Sequence, residues 1–229
     1  MKSFQSLKSF SRVSAYAVIT LSLSVTARAW TVGVATGDVK IESHAADASA
    51  PVIHAANVGD QIAEGDSIVT GTGAIALLTE GKSEVRMAAN SRLRVEQIYE
   101  AQEKKPGIVN LQRGTLRANL KKSAIEFLAP YEIKAKDFIA SAKDSDFFVE
   151  IAGGSAKVFT LSGAVTVHSK SGIVEVPAGK TVTNNGGASG AIRPVAPELL
   201  SALMAETKIE GRDAVAPAGK PHKRKSKQK

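Results

Sequence analysis

The feature that most constrains this chain is a two-residue alternation of apolar and polar side chains, repeated in short runs that end at a glycine, an Asn-Gly pair or a proline. Val39-Lys40-Ile41, Leu93-Arg94-Val95-Glu96 and Tyr131-Glu132-Ile133-Lys134 are examples. Successive side chains of an extended strand point to opposite faces, so a period of two means one buried face and one wet face. The runs are five to eight residues long and rich in Val, Ile and Thr, residues that pack well on a pleated surface. From Trp30 to about Asn185 few windows repeat apolar residues at helical spacing. The spacing predicts an all-β body.

A loose motif recurs within it: Ile68-x4-Gly73-x-Ile75-x-Leu77, then Leu111-x2-Gly114-x-Leu116-x-Ala118, then Leu161-x-Gly163-x-Val165-x-Val167, with Val176-x2-Gly179-x2-Val182 as a looser copy. Each time a strand runs into a glycine and an alternating strand follows. Glycine reaches positive φ or forms a bulge, so the chain can turn a corner without exchanging inside for outside. The glycines are 41, 49 and 16 residues apart, which is no strict solenoid period. An irregular, solenoid-like β-roll or sandwich of many short strands is expected.

Charge sits at the two ends. The chain carries +8 overall. Lys2, Lys8, Arg12 and Arg28 give the first 29 residues +4, and Lys220, Lys223, Arg224, Lys225, Lys227 and Lys229 give the last ten +6, leaving −2 for residues 30–219. A nucleic-acid reader needs a basic face on the fold itself, so specific nucleic-acid binding is excluded as the main function. At the N-terminus, basic residues precede the apolar stretch Val13–Val25, and Ala27-Arg28-Ala29 puts small side chains at the two positions a signal peptidase accommodates. This is the pattern of a secretory signal peptide. Cleavage after Ala29 is expected, giving a periplasmic or secreted protein that starts at Trp30. Val13–Val25 is 13 residues, shorter than the about 17–25 that span a bilayer, so no transmembrane span is expected once the signal is removed. The tail from Gly219 to Lys229 has no apolar side chain. It reads as disordered, and its lysines and arginines are candidate contacts to an anionic envelope polymer or lipid surface.

The inventory of reactive groups points away from catalysis. Cysteine is absent, which removes disulfides, thiolate metal sites and cysteine nucleophiles. His44, His54, His168 and His222 are scattered without the spacing of metal ligands. Asp38, Asp60 and Asp66 stand beside glycines and read as turn residues, as does the Asp144-x-Asp146 pair. There is no Gly-x-Ser-x-Gly and no phosphate-binding loop. No catalytic residue, metal ligand or cofactor is assigned.

One helix is expected, Pro197–Glu206. Proline suits a first helical turn, and Glu198 lies at the positive end of the helix dipole. Leu199, Leu200, Leu203 and Met204 form an apolar stripe, either to cover the β body or to bind a partner. The chain divides into a signal peptide (1–29), a β domain (30–185), a flexible lead with the amphipathic helix (186–210) and a basic tail (211–229).

In its ordered set of motifs, the chain resembles the FecR domain family of bacterial periplasmic proteins. The resemblance runs from about Val34 to Thr183. It opens with Gly37-Asp38-Val39 and the twofold Gly-Asp entry of Val58-Gly59-Asp60-Gln61-Ile62 and Gly65-Asp66-Ser67-Ile68-Val69-Thr70. It continues through Gly73-Ala74-Ile75-Ala76-Leu77 and Leu111-Gln112-Arg113-Gly114-Thr115-Leu116. Leu161-Ser162-Gly163-Ala164-Val165-Thr166-Val167 and Val176-Pro177-Ala178-Gly179-Lys180 close it. Where the family shows Gly-Thr-x-Phe, this chain has Asp144-Ser145-Asp146-Phe147, and Asp tolerates left-handed backbone angles well enough to keep such a turn. The resemblance also places Phe147 in the core, with Val149 and Ile151 on the same side by alternation. The best-known members join a cytoplasmic sigma-factor-binding segment and a transmembrane helix to the periplasmic domain; this chain resembles the stand-alone exported kind. Two functions follow: a non-catalytic envelope binding or scaffolding protein with an envelope protein as partner, or the periplasmic part of a relay from outer membrane to regulator.

Overall fold

The computed structural model describes residues 30–43, 50–98, 105–121 and 130–210, most of them in strands or the turns between strands. In chain order the strands begin with β1 (Trp30–Thr36), β2 (Val39–Ser43), β3 (Val52–Ala55), β4 (Gln61–Ile62), β5 (Ser67–Thr70) and β6 (Ile75–Glu80). Next come β7 (Ser83–Met87), β8 (Arg92–Gln97), β9 (Ile108–Leu120), β10 (Tyr131–Ala135), β11 (Phe138–Ala142) and β12 (Ser145–Ala152). The last are β13 (Ser155–Ser162), β14 (Ala164–Ser169), β15 (Gly172–Pro177), β16 (Lys180–Asn185), β17 (Ala188–Ser189) and β18 (Arg193–Pro194), ahead of the helix α1 (Pro197–Glu206). Among the described residues the all-β expectation and the single helix both hold.

The strands form two stacked sheets. The first runs β4–β1–β6–β7–β9–β12–β13–β16, all antiparallel, with β17 and β18 on the far edge of β16. The second runs β3–β2–β5–β8–β9–β10–β11–β14–β15, antiparallel except for the parallel pair β9–β10. Strand β9 belongs to both. Its first half pairs with β8 and β10 in the second sheet, and its second half with β7 and β12 in the first.

The recurring glycines are the corners of this sandwich. Gly73 lies where the chain passes from β5 to β6, Gly114 at the change of sheet inside β9, Gly163 between β13 and β14, and Gly179 between β15 and β16, all with positive φ. Asn90 and Asp144 turn two further corners with φ of 55° and 27°, as expected for the residues that best tolerate that region after glycine. At a corner the ladder breaks and backbone groups need other partners. Buried hydroxyls supply them. Thr70 Oγ1 donates to the carbonyl of Ala88 at 2.6 Å and accepts from Ser91 N at 2.9 Å. Ser91 Oγ donates to Thr115 O at 3.1 Å and accepts from Thr115 N at 3.0 Å. Ser145 and Thr160 donate to the carbonyls of Ala164 and Val176 at 2.9 and 3.0 Å.

The two Gly-Asp segments are one turn built twice. Asp60 accepts from the backbone N–H of Asn57 at 2.8 Å, and Asp66 from that of Ala63 at 3.0 Å. Each follows a glycine of positive φ, Gly59 or Gly65. These carboxylates hold turns, as the sequence suggests.

Between the sheets lies one continuous core that includes Trp30, Ile41, Leu78, Leu93, Leu111, Leu116, Ile133, Phe147, Val149 and Val167. Phe147 and Val149 are fully buried on the inner face and Ile151 packs partly against them, so the alternation predicted for that strand holds. Residues 186–194, read from sequence as part of a flexible lead, contain β17 and β18, which pair with β16. The short Ala-Ser and Arg-Pro segments carry too little period-two signal to be recognised as strands. The signal segment 1–29 and the tail 211–229 lie outside the described residues.

Candidate functional site

The outer faces of the two sheets differ in what covers them. Across the first sheet, cross-strand neighbours form the row Leu77, Arg86, Arg117, Phe148, Phe159, Thr181. Arg117 forks onto Asp146 through bonds of 2.9 and 2.7 Å, and its guanidinium carbon lies 5.6 Å from the centre of the Phe148 ring. Helix α1 covers the aromatic part of this row. Leu203 is buried against Phe148 and Phe159, with Leu199 and Leu200 half-buried beside it and Met204 exposed. Three of the four residues of the apolar stripe therefore face the chain's own sheet.

The second sheet carries no described helix on its outer face, and its side chains are tied into polar ladders. Glu42 on β2 accepts both terminal nitrogens of Arg92 on β8, one of them at 2.7 Å. Arg92 Nε donates onward to Gln112 on β9 at 2.7 Å. One step along, Glu96 accepts from Asn110 Nδ2 and from Lys134 Nζ, both at 2.7 Å. Lys40, Arg94, Gln112 and Arg113 stand exposed around these ladders. The result is a bonded surface of mixed charge running from β2 to β10, suited to recognition by a complementary surface.

Burial pushes the Glu96 carboxyl up. The hydrogen bonds from Lys134 and Asn110, with the charges of Lys134 and Arg94, outweigh it and hold the group below its ordinary value of 4.5. A carboxyl lowered on folding stabilises the protein above its unfolded pKa, and that contribution is lost as pH falls through the folded value. We expect the Glu96→Gln protein to lose less stability than the parent between pH 6 and pH 3, measured as the urea midpoint. The contribution of a half-exposed pair is about 1 kcal/mol or less, so an equal drop in both proteins would mean that Glu96 is not held as described.

No catalytic constellation emerges among the described residues. His54 and His168 stand exposed on β3 and β14, and no described group of three His, Cys, Asp or Glu could hold a metal ion. His44 and His222 lie outside the described residues. One cleft of about 420 Å³ over β16 is lined by Thr181, Thr183, Asn185, Ser189 and Arg193. Another of about 360 Å³ lies where Ala205 and Glu206 meet Gly73–Ile75 and Ala88–Asn90. Neither brings a hydroxyl to a histidine or lysine.

Of the residues singled out from sequence, Trp30 is buried and opens β1. Ala27 and Ala29 lie outside the described residues, as do Lys220, Lys223, Arg224, Lys225, Lys227 and Lys229. Sequence reasoning missed the ladders on the second sheet. The polar positions Arg92, Arg94 and Glu96 alternate visibly, but the partners of Arg92 and Glu96 lie between 14 and 50 residues away and only strand register brings them together.

The "FecR protein" family model matches residues 66–166, from the start of β5 into β14. Two crystal structures of a candidate anti-sigma factor from Parabacteroides distasonis ATCC 8503, at 1.65 and 2.50 Å, resemble the chain in fold, each with a TM-score of 0.50 at 13% identity. The likeness covers 60% of this chain and 64% and 63% of theirs. No curated protein matches. Among the described residues no helix is long and apolar enough to cross a membrane.

Proposed function

We infer, for a chain that belongs to the FecR family through its residues 66–166, a non-catalytic role as a protein-binding module of the bacterial envelope, acting in a signalling relay rather than as an inert scaffold. The observation that carries this reading is the outer face of the second sheet. Arg92, Arg94, Glu96, Asn110, Gln112 and Lys134 all fall inside the matched segment. All but Arg94 are locked by bonds within the ladders, Arg94 stands exposed among them, and α1 leaves the whole face uncovered. Side chains already fixed in place lose little entropy when a partner docks, and mixed charge selects a partner by complementarity. The solved structures of like fold are described as a candidate anti-sigma factor, which favours the relay over the scaffold. Export through cleavage after Ala29 would put the module in the periplasm, and the basic tail would hold it loosely near anionic polymer or lipid.

The reading is tested by a photocrosslinking side chain placed in turn at Arg94, at Gln112 and, as a control on the α1 side, at Glu198. Adducts of one defined mass from the first two positions and none from the third are expected in intact cells, and Arg94→Glu should abolish the Gln112 adduct. Adducts from Glu198 alone would move the binding surface to the first sheet and sink this assignment.

A further inference from the structure

Strand β1 starts at Trp30, the residue that cleavage after Ala29 would leave at the N-terminus. Trp30 is 1% exposed and pairs with Ile62 of β4 on one side. On the other side the β1–β6 ladder pairs Thr31 with Thr79 and Val32 with Leu78. One step further places the backbone of Trp30 opposite Glu80. Ala76 and Leu78 of the same strand point into the core, so alternation turns Glu80 inward as well, and it is only 5% exposed. Tyr131 completes the group from the second sheet. Its ring lies 6.0 Å from the indole of Trp30, and its hydroxyl donates to Glu80 Oε2.

We propose that removal of residues 1–29 converts the nitrogen of Trp30 into a structural cation that pairs with Glu80, so that the sandwich reaches full stability only in the processed chain. In the precursor this nitrogen is a neutral amide. Once freed it is an α-amino group with an ordinary pKa of about 7.7–8.0, largely protonated at neutral pH. A carboxylate held out of water is costly unless hydrogen-bonded and faced by positive charge. It has about four lone-pair sites, so it takes an ammonium in addition to the Tyr131 hydroxyl and its other contacts. Processing therefore changes the local charge by one unit beside a buried acid. The consequence suits an exported chain: the precursor, which has to stay unfolded to cross the membrane, lacks the contact that the mature protein gains. The proposal rests on the cleavage position given above.

Four full-length mature chains test it: one starting at Trp30, one retaining Ala29, and the Glu80→Gln form of each. The chain starting at Trp30 should melt about 2–8 °C above the chain that retains Ala29, a shift typical of a modest stability gain in a domain of this size. Between the two Glu80→Gln chains the gap should close. Acetylation of the Trp30 amine on the native chain should lower its melting point to that of the Ala29 form, which keeps the test decisive if Glu80→Gln fails to fold. An equal gap in both pairs, or no gap in the native pair, overturns the pairing. N-terminal sequencing of the exported protein separates the two readings, because a start other than Trp30 removes the cleavage site and with it the proposal in the cell, whatever the melting comparison gives.

Discussion

Gly114→Ala is expected to destabilise the protein by about 2–5 kcal/mol, read as a fall in the denaturant midpoint. Two costs add. The backbone there has φ of +86°, a region that costs an L-residue about 1–2 kcal/mol. The new Cβ would also stand 2.3 Å from Ser91 Oγ and 2.6 Å from Ser91 Cα. Such overpacking typically costs about 1–3 kcal/mol, and Ser91 cannot retreat without giving up its bonds to Thr115. Gly153→Ala is the control. Its φ is +57° but nothing lies within 4 Å of the added carbon, so only the conformational cost of about 1–2 kcal/mol remains. If the two substitutions cost the same, the corner at Gly114 is looser than described.

Phe147→Ala should cost a similar about 3–5 kcal/mol through the cavity left in the core. Its neighbour separates global from local effects. Phe148 faces outward beneath α1, in the cluster with Phe159 and Leu203. Phe147→Ala should therefore lower protection from hydrogen exchange throughout both sheets. Phe148→Ala should release α1 first and expose the amides of residues 197–206 under conditions where β9 stays protected. A melting point unchanged by Phe147→Ala would put the register of β12 one residue off.

Much of this architecture is legible in the sequence, and the legible parts share a cause. The corner glycines, the paired Gly-Asp turns, Asp144 in the place of a glycine and the helix at Pro197–Glu206 are all local. Each is dictated by the backbone preferences of a few neighbouring residues. What depends on register between distant segments was not legible, and that includes the polar ladders of Glu42 with Arg92 and of Glu96 with Lys134. The role of α1 falls in between. Its apolar stripe announces a covered face without saying which, yet Phe147-Phe148-Val149 breaks the alternation with three apolar residues in a row. A strand reading that way is buried on both faces, and here the second cover is the helix.

The sharing of β9 between the sheets has a consequence for how the two halves are joined. Among the described residues no strand ladder joins any of β1–β8 to any of β10–β18; the main-chain ladders of the two halves meet at the thirteen residues Ile108–Leu120, and side-chain bonds such as Lys134 to Glu96 and Tyr131 to Glu80 cross beside them. Gln112 of the Arg92 ladder and Arg117 beside Phe148 stand on this one strand, on either side of the corner at Gly114. The uncovered face of the second sheet and the seat of α1 on the first sheet therefore share a single stretch of backbone.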